Sequence, residues 1–475
     1  MSSGRNLLLL LFAMLSLTVS AQYPGALNTD NAFREPLVDV LHTVEKRFGV
    51  TLKYPEDLVK DRWVTYAKWR FRGGDVEKTL TNILSSLDLA YTPAGDKTYK
   101  IKVYEYSRWK PEDGKNQLNY LASLYHDSAS WNVRKKELRS CMYEALGLSP
   151  LPARPMSKPI VTNKRVMNGY TVENIAIETL PGLYICGSLY RPLKAKGKLP
   201  VVLNPDGHFA NGRYRPDSQY RCAMLARMGA LAFSYDLFAW GESLLQFKGE
   251  DHRRSLAMSV QALNSIRILD YLLSLKEADP KRVGITGGSG GGSQTMLITA
   301  LDNRITVSVP VVMLSCYFSG GCPCESGTGV HLCGDGTDNP EIAAMAAPRP
   351  QLVISDGKDW SDHVPEIEYP YLQNMYGYFG SRNNVQNVHL ANEGHDYGIS
   401  KRLAMYSFLA EHLGLDIHKI QDVSGKIDES ACTIEPEAAM YVFGDKGERL
   451  PANAIKNFGE LEKVFASATA QSQTK

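Results

Sequence analysis

The sequence predicts an α/β protein with a largely parallel sheet, preceded by a small α+β module. From residue 199 onward, short and nearly continuous apolar strands alternate with helical patterns, which is typical of parallel strands buried on both faces. A glycine-rich corner at 287–292 joins a strand at 282–286 directly to a helix at 293–301. The 475 residues are enough for two or three domains.

Residues 1–21 have the composition of a secretory signal peptide. Arg5 supplies the positive charge, residues 7–17 form the apolar stretch, and Val19-Ser20-Ala21 is a cleavage site of small residues before Gln22. We therefore expect a periplasmic or secreted protein. The apolar stretch is too short to span a bilayer, and no other segment has the pattern of a membrane span. A net charge of +2 gives no argument for a nucleic-acid partner.

Residues 30–106 are predicted to form the α+β module. An apolar helix over 37–44 and strands at 50–54, 63–69, 89–92 and 99–103 surround a second helix over 76–87. The segment 76–84, followed by Leu89-Ala90-Tyr91, resembles the short N-terminal domain of secretins and TonB-dependent receptors. That resemblance implies a module that binds an envelope protein partner. A generic accessory domain is the alternative.

The chain from 107 to 150 is predicted to be a linker and a helix, with a polar linker at 111–115 and a helix over 117–146. Four prolines at 150–159 mark the start of the main domain, which we place at 151–415. The segment 416–475 has little pattern, and we expect its last residues to be disordered.

Within the main domain, 171–179 and 184–190 are predicted to open the sheet as an antiparallel pair. The remaining elements follow in alternation. Strands are predicted at 199–203, 231–235, 282–286, 307–314, 351–355 and 385–390, and helices at 218–228, 256–273, 293–301 and 402–413.

The corner Gly287-Gly288-Ser289-Gly290-Gly291 fits the pattern G-x-S-x-G of a nucleophile elbow. In such an elbow, a serine is held on a strained turn, and glycines two residues before and after allow the strand and the helix to approach closely. Ser289 is therefore the predicted nucleophile, with the amide of Gly290 directed at the oxyanion. An ordinary glycine-rich turn is the alternative.

A serine nucleophile needs a base, and in this arrangement the base follows the last strand. His395 occupies that position, after Gly394. A structural role in the loop is its alternative. None of the other candidate histidines follows the last strand, which makes them weaker: His208, His252, His331 and His363.

The acid that orients the histidine is expected after the penultimate strand. Asp359 has the expected position, ahead of Val364-Pro365, while Asp356 and Asp362 are alternatives that could instead cap turn amides. Glu325, after the preceding strand, is a further competitor.

The loop 204–209 follows the third strand of the domain and is expected to supply the second oxyanion amide, from Gly207 or His208. The His208 side chain either lines the pocket or packs the loop. Trp240 and Trp360 are candidates to stack on a sugar ring, with plain packing as the alternative, and Glu325 joins them as a candidate substrate-binding residue.

Eight cysteines make disulfides plausible in an exported protein, and four of them lie between 316 and 333. A disulfide within that loop is the favoured interpretation and free buried thiols are the second. A zinc site is the third, because Cys322-Pro323-Cys324 is spaced more tightly than usual zinc ligands. We expect no metal and no organic cofactor.

Over residues 170–413 the chain resembles the α/β-hydrolase superfamily, and within it the acetyl xylan esterase and dienelactone hydrolase-like carbohydrate esterases. The motifs that carry this are 205–208, 235–243, 287–292, 357–360 and 394–396. The extra glycines at the elbow and the loop at 320–325 depart from the common pattern, which leaves the leaving group open.

The resemblance implies an exported serine esterase that removes acetyl or methyl esters from a plant cell-wall carbohydrate such as xylan or pectin. A pectin methylesterase is a narrower alternative. A serine peptidase of the same fold would usually carry a propeller, and no repeated four-strand pattern is visible. An envelope interaction protein without enzymatic activity is the last alternative.

Overall fold

A computed structural model describes residues 34–65, 67–84, 87, 89–104, 108–209, 211–254, 256–326 and 329–473. The predicted signal peptide, residues 1–21, lies outside these ranges. The chain divides into two compact units, 1–104 and 105–475. The second unit also includes the helical region 107–150 and the segment 416–475, which the sequence predicts to lie outside the main domain.

The first unit is a small α+β structure. Its elements in chain order are β1 (Arg34–Pro36), α1 (Leu37–Phe48), β2 (Thr51–Lys53), α2 (Glu56–Val59), β3 (Trp63–Thr65), α3 (Ala67–Arg70), α4 (Val76–Leu84), β4 (Leu89–Pro93) and β5 (Thr98–Val103). β2 pairs in parallel with β5, which pairs antiparallel with β4, and β1 pairs with β3. The strand predicted to reach residue 69 ends at Thr65, and α3 follows it.

The second unit contains the elements β6 (Ile160–Val166), β7 (Tyr170–Leu180), β8 (Leu183–Pro192), β9 (Leu199–Pro205), β10 (Leu231–Tyr235), β11 (Ala278–Gly288), β12 (Val307–Val311), β13 (Gln351–Asp356) and β14 (Val385–Leu390). Its helices are α5 (Pro111–Ser123), α6 (Ser128–Ala145), α7 (Pro216–Met228), α8 (Ala257–Ser274), α9 (Gly290–Leu301), α10 (Asn339–Ala344), α11 (Glu368–Gly377), α12 (Ile399–Leu413) and α13 (Phe458–Gln473).

One nine-stranded sheet organises this unit, in the order β14-β13-β12-β11-β9-β10-β8-β7-β6. Strands β9 to β14 run parallel to one another, and β8, β7 and β6 continue the sheet in antiparallel pairing. The predicted α/β class and the predicted antiparallel pair are confirmed. β6, which directly follows the proline-rich boundary 150–159, was not predicted.

The parallel strands place their carboxyl ends along one edge of the sheet, where ligands bind in open α/β folds. The loop 206–209 follows β9, and Ser289 follows β11. Asp356 ends β13, Asp359 and Asp362 follow it, and His395 follows β14. The topology therefore brings to one edge residues that are far apart in the chain.

Two expectations about the ends of this unit are wrong. The predicted polar linker at 111–115 is the first part of α5, because Pro111 occupies the first turn of a helix, where no amide donor is needed. The C-terminal residues are helical through Gln473, since Phe458, Leu461 and Phe465 recur at helical spacing and are buried.

None of the helices in the described ranges combines the length and the hydrophobicity that a membrane span requires.

Candidate active site

Ser289 is the single residue between β11 and α9, and its backbone conformation is strained. Its φ of 56° and ψ of −125° are unusual for a residue with a side chain. The strain is held by hydrogen bonds on both sides: the Ser289 amide donates to Val311 O at 3.0 Å, and Ser289 O accepts from the Gly292 amide at 2.7 Å. The predicted strand, sharp turn and helix are thus present.

The glycines that flank the elbow are required by close contact. A Cβ on Gly287 would lie 2.6 Å from Gly291 O and from Pro205 O, and a Cβ on Gly291 would overlap Pro205 O. These contacts are with backbone atoms that cannot move aside. The spacing of glycine around the serine is therefore a packing requirement of this corner.

His395 and Asp359 form a hydrogen-bonded pair. Nδ1 of His395 lies 2.6 Å from Oδ2 of Asp359, whose side chain is 2% exposed. The other carboxylate oxygen, Oδ1, accepts from the Ser361 amide and from the Ser361 hydroxyl, both at 2.6 Å. A carboxylate held in this way fixes the proton on Nδ1 and leaves the lone pair on Nε2.

Aromatic rings hold the imidazole of His395 close to the elbow. The ring stacks on Phe209 at 5.7 Å between centroids and packs against Trp360 at 4.4 Å. A Cβ added to Gly207 would lie 3.0 Å from both the Phe209 ring and Cβ of Ser289. Ser289 and His395 therefore approach Phe209 from different strands. Sequence reasoning missed Phe209, although it directly follows the predicted oxyanion residues.

The other candidate acids make different contacts. Asp362 accepts from the Tyr317 hydroxyl at 2.6 Å, and Asp356 lies 3.4 Å from Nζ of Lys401. Oε2 of Glu325 accepts from the Gly321 amide at 3.0 Å. Among these candidates, Asp359 is the one whose carboxylate bonds to His395.

Lys401 supports the loop that carries His395, and sequence reasoning did not find it. Its buried ammonium donates to Gly394 O and to Asp396, each at 2.7 Å, and lies 3.4 Å from Glu393 and Asp356. Burial and the neighbouring charge of Asp359 raise the pKa of Asp356 to about 6. The only sequence signal was the acidic run around His395.

The predicted oxyanion residues meet at the start of α9. A Cβ on Gly207 would overlap Gly288 O, so the loop after β9 presses directly on the elbow. A Cβ on Gly290 would lie 2.8 Å from Nδ1 of His208 and from Oε1 of Glu325. Gly290 is also in the first helical turn, where amides have no acceptor within the helix. Arg215 holds this loop through two hydrogen bonds to buried Asp206.

His208 is part of a second cluster beside the elbow. Its Nε2 lies 2.7 Å from Nε2 of His252 and 3.0 Å from Sγ of Cys324. Burial lowers the pKa of each histidine to about 4, so both imidazoles are neutral at neutral pH. Burial also raises the pKa of Glu325 to about 7. His252, which we ranked as a weak candidate for the base, is thus a neighbour of the predicted oxyanion loop.

The two tryptophans have different surroundings. Trp360 packs on Phe318, with centroids 4.3 Å apart, as well as on His395. Trp240 lies edge-on to His208 and His252 and borders a cavity of about 510 Å³. Other residues around this cavity include Tyr214, Leu244, Leu245 and Tyr441. Trp240 thus retains access to a space large enough for a sugar, whereas Trp360 supports the histidine.

Two cysteine pairs are bonded. Cys322 and Cys324 are joined within the loop, as the favoured interpretation expected, and Cys333 is joined to Cys141 of α6. The remaining four cysteines are free. Cys186, Cys222 and Cys316 are buried, and Cys432 is partly exposed.

Known proteins resemble this chain over very different lengths. The acetyl xylan esterase family (AXE1) matches residues 248–322. Acetyl esterase Axe7A of Xylanibacter ruminicola is 31% identical over 142 residues, which cover 26% of this chain and 31% of that esterase. The solved structure of methylesterase BT1017 has 48% sequence identity to this chain. The match covers 94% of this chain and 99% of the methylesterase chain, with a TM-score of 0.75. The chain therefore belongs to the family of methylesterase BT1017, a family of carboxylic ester hydrolases with the α/β-hydrolase fold.

Proposed function

We propose that this protein is an exported serine esterase that removes ester groups from plant cell-wall carbohydrate. One observation carries the proposal: the bond of 2.6 Å between His395 Nδ1 and Asp359 Oδ2, beside a serine in a strained elbow. A histidine oriented in this way offers Nε2 as a base to a serine hydroxyl, which is the requirement of acyl transfer.

In the reaction that we infer, Ser289 Oγ attacks the ester carbonyl carbon while His395 Nε2 takes the hydroxyl proton. The amides of Gly290 and of Gly207 or His208 stabilise the negative charge on the carbonyl oxygen. The alcohol leaves with the proton returned by His395, and an acyl group remains on Ser289. Water, deprotonated by the same Nε2, then releases the acid and restores the serine.

A methyl ester of a uronic acid sugar, as in pectin, is the substrate that we favour. The relative that matches nearly the whole chain is called a methylesterase, whereas the acetyl esterase matches about a quarter of it. For such a substrate the sugar carboxyl becomes the acyl group and methanol leaves.

An acetyl ester is the second candidate, supported by the acetyl xylan esterase match at residues 248–322, which include His252 and Cys322 beside the elbow. In that case the acetyl group is carried by Ser289 and a sugar hydroxyl leaves.

Product analysis separates the two candidates. Wild type and Ser289→Ala are incubated with methyl-esterified pectin fragments and with acetylated xylan, and methanol and acetate are quantified. We expect methanol from wild type and no methanol from the variant. Acetate without methanol would support the second candidate. Equal release by both proteins would contradict the role of Ser289.

The saccharide contact that we propose is at Trp240, since the cavity beside it is bordered by other aromatic and aliphatic residues. Aromatic faces bind the apolar face of a sugar ring, and the acidic residues at the rim, Glu437 and Asp445, can accept hydrogen bonds from sugar hydroxyls.

We also propose that residues 1–21 direct export and that the first unit binds an envelope protein. Amino-terminal sequencing of the protein recovered from the cell envelope should begin at Gln22, and an intact N-terminus there would contradict cleavage. Removal of the first unit should leave kcat/KM for a small soluble ester unchanged, because we assign it no part in the chemistry. A large loss would show that it belongs to the catalytic machinery.

A further inference from the structure

Four potential metal ligands from three loops converge beside the elbow. His208 follows β9, His252 belongs to the short 3-10 helix Gly249–Arg253, and Cys322 and Cys324 lie beyond β12. Their Nε2 and Sγ atoms all lie within 4.8 Å of one another. Three of these side chains are at most 6% exposed, and His208 is partly buried.

The tautomer of His252 leaves a lone pair directed into the cluster. Nδ1 of His252 lies 2.6 Å from Phe238 O, a carbonyl that can only accept, so Nδ1 carries the proton and Nε2 carries the lone pair. Histidines that bind metals commonly donate their other N–H to a backbone carbonyl in this way.

The hydrogen bonding around His208 leaves a place for a cation. If Nε2 of His208 donates to Nε2 of His252 across 2.7 Å, then Nδ1 of His208 has no proton. That bare Nδ1 would lie 3.5 Å from Oε1 of Glu325, a buried carboxylate oxygen. When Glu325 is ionised, two acceptors then face each other in a buried site, which is unfavourable.

A cation resolves this arrangement. With a metal ion between the two Nε2 atoms, both lone pairs are used, and the proton of His208 moves to Nδ1, facing Glu325. A carboxylate behind a metal-binding histidine is a common second partner in metal sites. The amide of Cys324, which points at Sγ of Cys322 from 3.3 Å, is placed to stabilise thiolate charge.

We propose that His208, His252, Cys322 and Cys324 bind one Zn²⁺ when the two cysteines are thiols. Two sulfurs and two imidazole nitrogens in a tetrahedron are a donor set that zinc prefers. Binding releases the two thiol protons and transfers no electrons. The Cys322–Cys324 bond of the present structure is the alternative oxidised form, which has no thiolate to offer.

The dimensions are compatible with zinc binding by the form in which both cysteines are thiols. Zn–N distances of about 2.0–2.1 Å and Zn–S distances of about 2.3 Å imply ligand–ligand edges of roughly 3.3–3.8 Å. The nitrogen–nitrogen and nitrogen–sulfur distances of 2.7, 3.0 and 3.5 Å need only small outward shifts. The two sulfurs must separate by more, which requires a change in the turn around Pro323.

Four protein ligands leave no open position, so the zinc is structural and not catalytic. It ties the loop of His208, which carries a predicted oxyanion amide, to two other loops. This departs from our expectation of no metal, which considered the Cys-Pro-Cys spacing alone. The two histidines come from distant parts of the sequence and complete a donor set that no local motif reveals.

The test is zinc content in matched cysteine variants. The chain beginning at Gln22 is produced in a reducing bacterial cytoplasm, where thiols persist, and zinc is measured by plasma mass spectrometry after gel filtration. Cys322→Ala/Cys324→Ala removes two ligands, and Cys141→Ala/Cys333→Ala is the control that removes the other bonded pair. His252→Ala tests a third ligand without altering a cysteine. Circular dichroism shows that each protein is folded.

We expect about one zinc per chain in wild type and in the control pair, as a four-ligand structural site requires, and none in Cys322→Ala/Cys324→Ala or His252→Ala. Cobalt in place of zinc should give the sulfur-to-metal charge-transfer and visible bands of a tetrahedral site. The proposal would be overturned by folded wild-type protein that contains no zinc. It would also be overturned if Cys322→Ala/Cys324→Ala and Cys141→Ala/Cys333→Ala contained equal amounts of zinc. Zinc content is measured without any esterase assay, so this proposal is tested separately from the proposed function.

Discussion

The imidazole of His395 is fixed in two ways, by a carboxylate at one nitrogen and by rings on its faces. Asp359 determines which nitrogen carries the proton, and Phe209 and Trp360 restrict the ring plane. Asp359 is itself held by Ser361. The imidazole that we propose as the base is therefore oriented before any substrate binds, as acid–base catalysis requires.

Asp359→Asn should lower kcat by about 10⁴-fold, because an amide in place of the carboxylate favours the wrong tautomer of His395. Hydrolysis of p-nitrophenyl acetate measures the loss. Asp362→Asn is the matched control, since Asp362 bonds to Tyr317 and not to His395, and it should retain nearly full activity. A larger loss in Asp362→Asn or in Glu325→Gln would assign the acid elsewhere.

The sequence is most informative where structure depends on local spacing. The elbow is predicted from glycine spacing, and the strands are predicted from hydrophobic periodicity. The order of serine, acid and histidine is the one expected of an α/β-hydrolase. His252 and Lys401 could not be found in this way, because their contacts with the loops of His208 and His395 form only when distant strands align. No pattern within their own segments distinguishes them from ordinary surface residues.

At the scale of elements, a buried ionic cluster attaches the C-terminal segment to the sheet. Arg213 donates to Asp236 after β10 and to Glu242, each at 2.8 Å, and to Met440 O at 3.2 Å. Glu242 in turn accepts from the amides of Val442 and Phe443. These side chains are conspicuous in the sequence only as charges, so the order of the segment after 416 was not predictable.

Arg213→Met should destabilise the second unit by about 3–5 kcal/mol, because it leaves two buried carboxylates without their cation. Urea unfolding followed by tryptophan fluorescence measures the change. Lys248→Met is the control, since the Lys248 side chain is 81% exposed and its pair with Glu250 should contribute less than about 1 kcal/mol. Equal effects of the two substitutions would contradict the importance of the cluster.

Asp356, at the end of β13, should give protein stability a distinct pH dependence. Burial raises the pKa of Asp356 from 3.8 to about 6, so the folded state binds a proton that the unfolded state has released between these values. The contribution of Asp356 to stability therefore falls as pH rises through that window. Asp356→Asn cannot titrate.

The melting temperature of Asp356→Asn relative to wild type should accordingly rise between about pH 4 and pH 6 and then level off. Thermal melts in matched buffers give this difference, and any constant offset from altered contacts with Lys401 cancels in the comparison. A difference that stays flat or falls with pH would show that the pKa of Asp356 is not raised.

At the scale of the whole molecule, the parallel sheet places the candidate catalytic residues along one edge. The cavity beside Trp240 lies near that edge, because the Trp240 ring contacts His208 of the loop after β9. The fold class was predictable because alternating apolar strands and helices leave few topologies. Substrate preference was not predictable, since the cavity is formed by residues from both the middle and the end of the chain, Trp240 and Tyr441 among them.

Trp240→Ala should raise KM for an oligosaccharide ester by roughly 2-fold to 10-fold, the range expected for loss of one aromatic stacking contact. The same variant should leave kcat/KM for p-nitrophenyl acetate nearly unchanged, because that substrate is too small to reach the cavity. Steady-state kinetics on both esters separates the two effects. Equal losses on both would mean that Trp240 supports the active site and not the saccharide.

The central claim is that Ser289 is the nucleophile activated by His395, and covalent labelling tests it most directly. The protein is treated with an activated phosphonate ester, digested, and analysed by tandem mass spectrometry. We predict one phosphonate on Ser289 in wild type and none on that peptide in Ser289→Ala or His395→Ala. An active enzyme that is labelled at another residue, or is not labelled at all, would contradict the account.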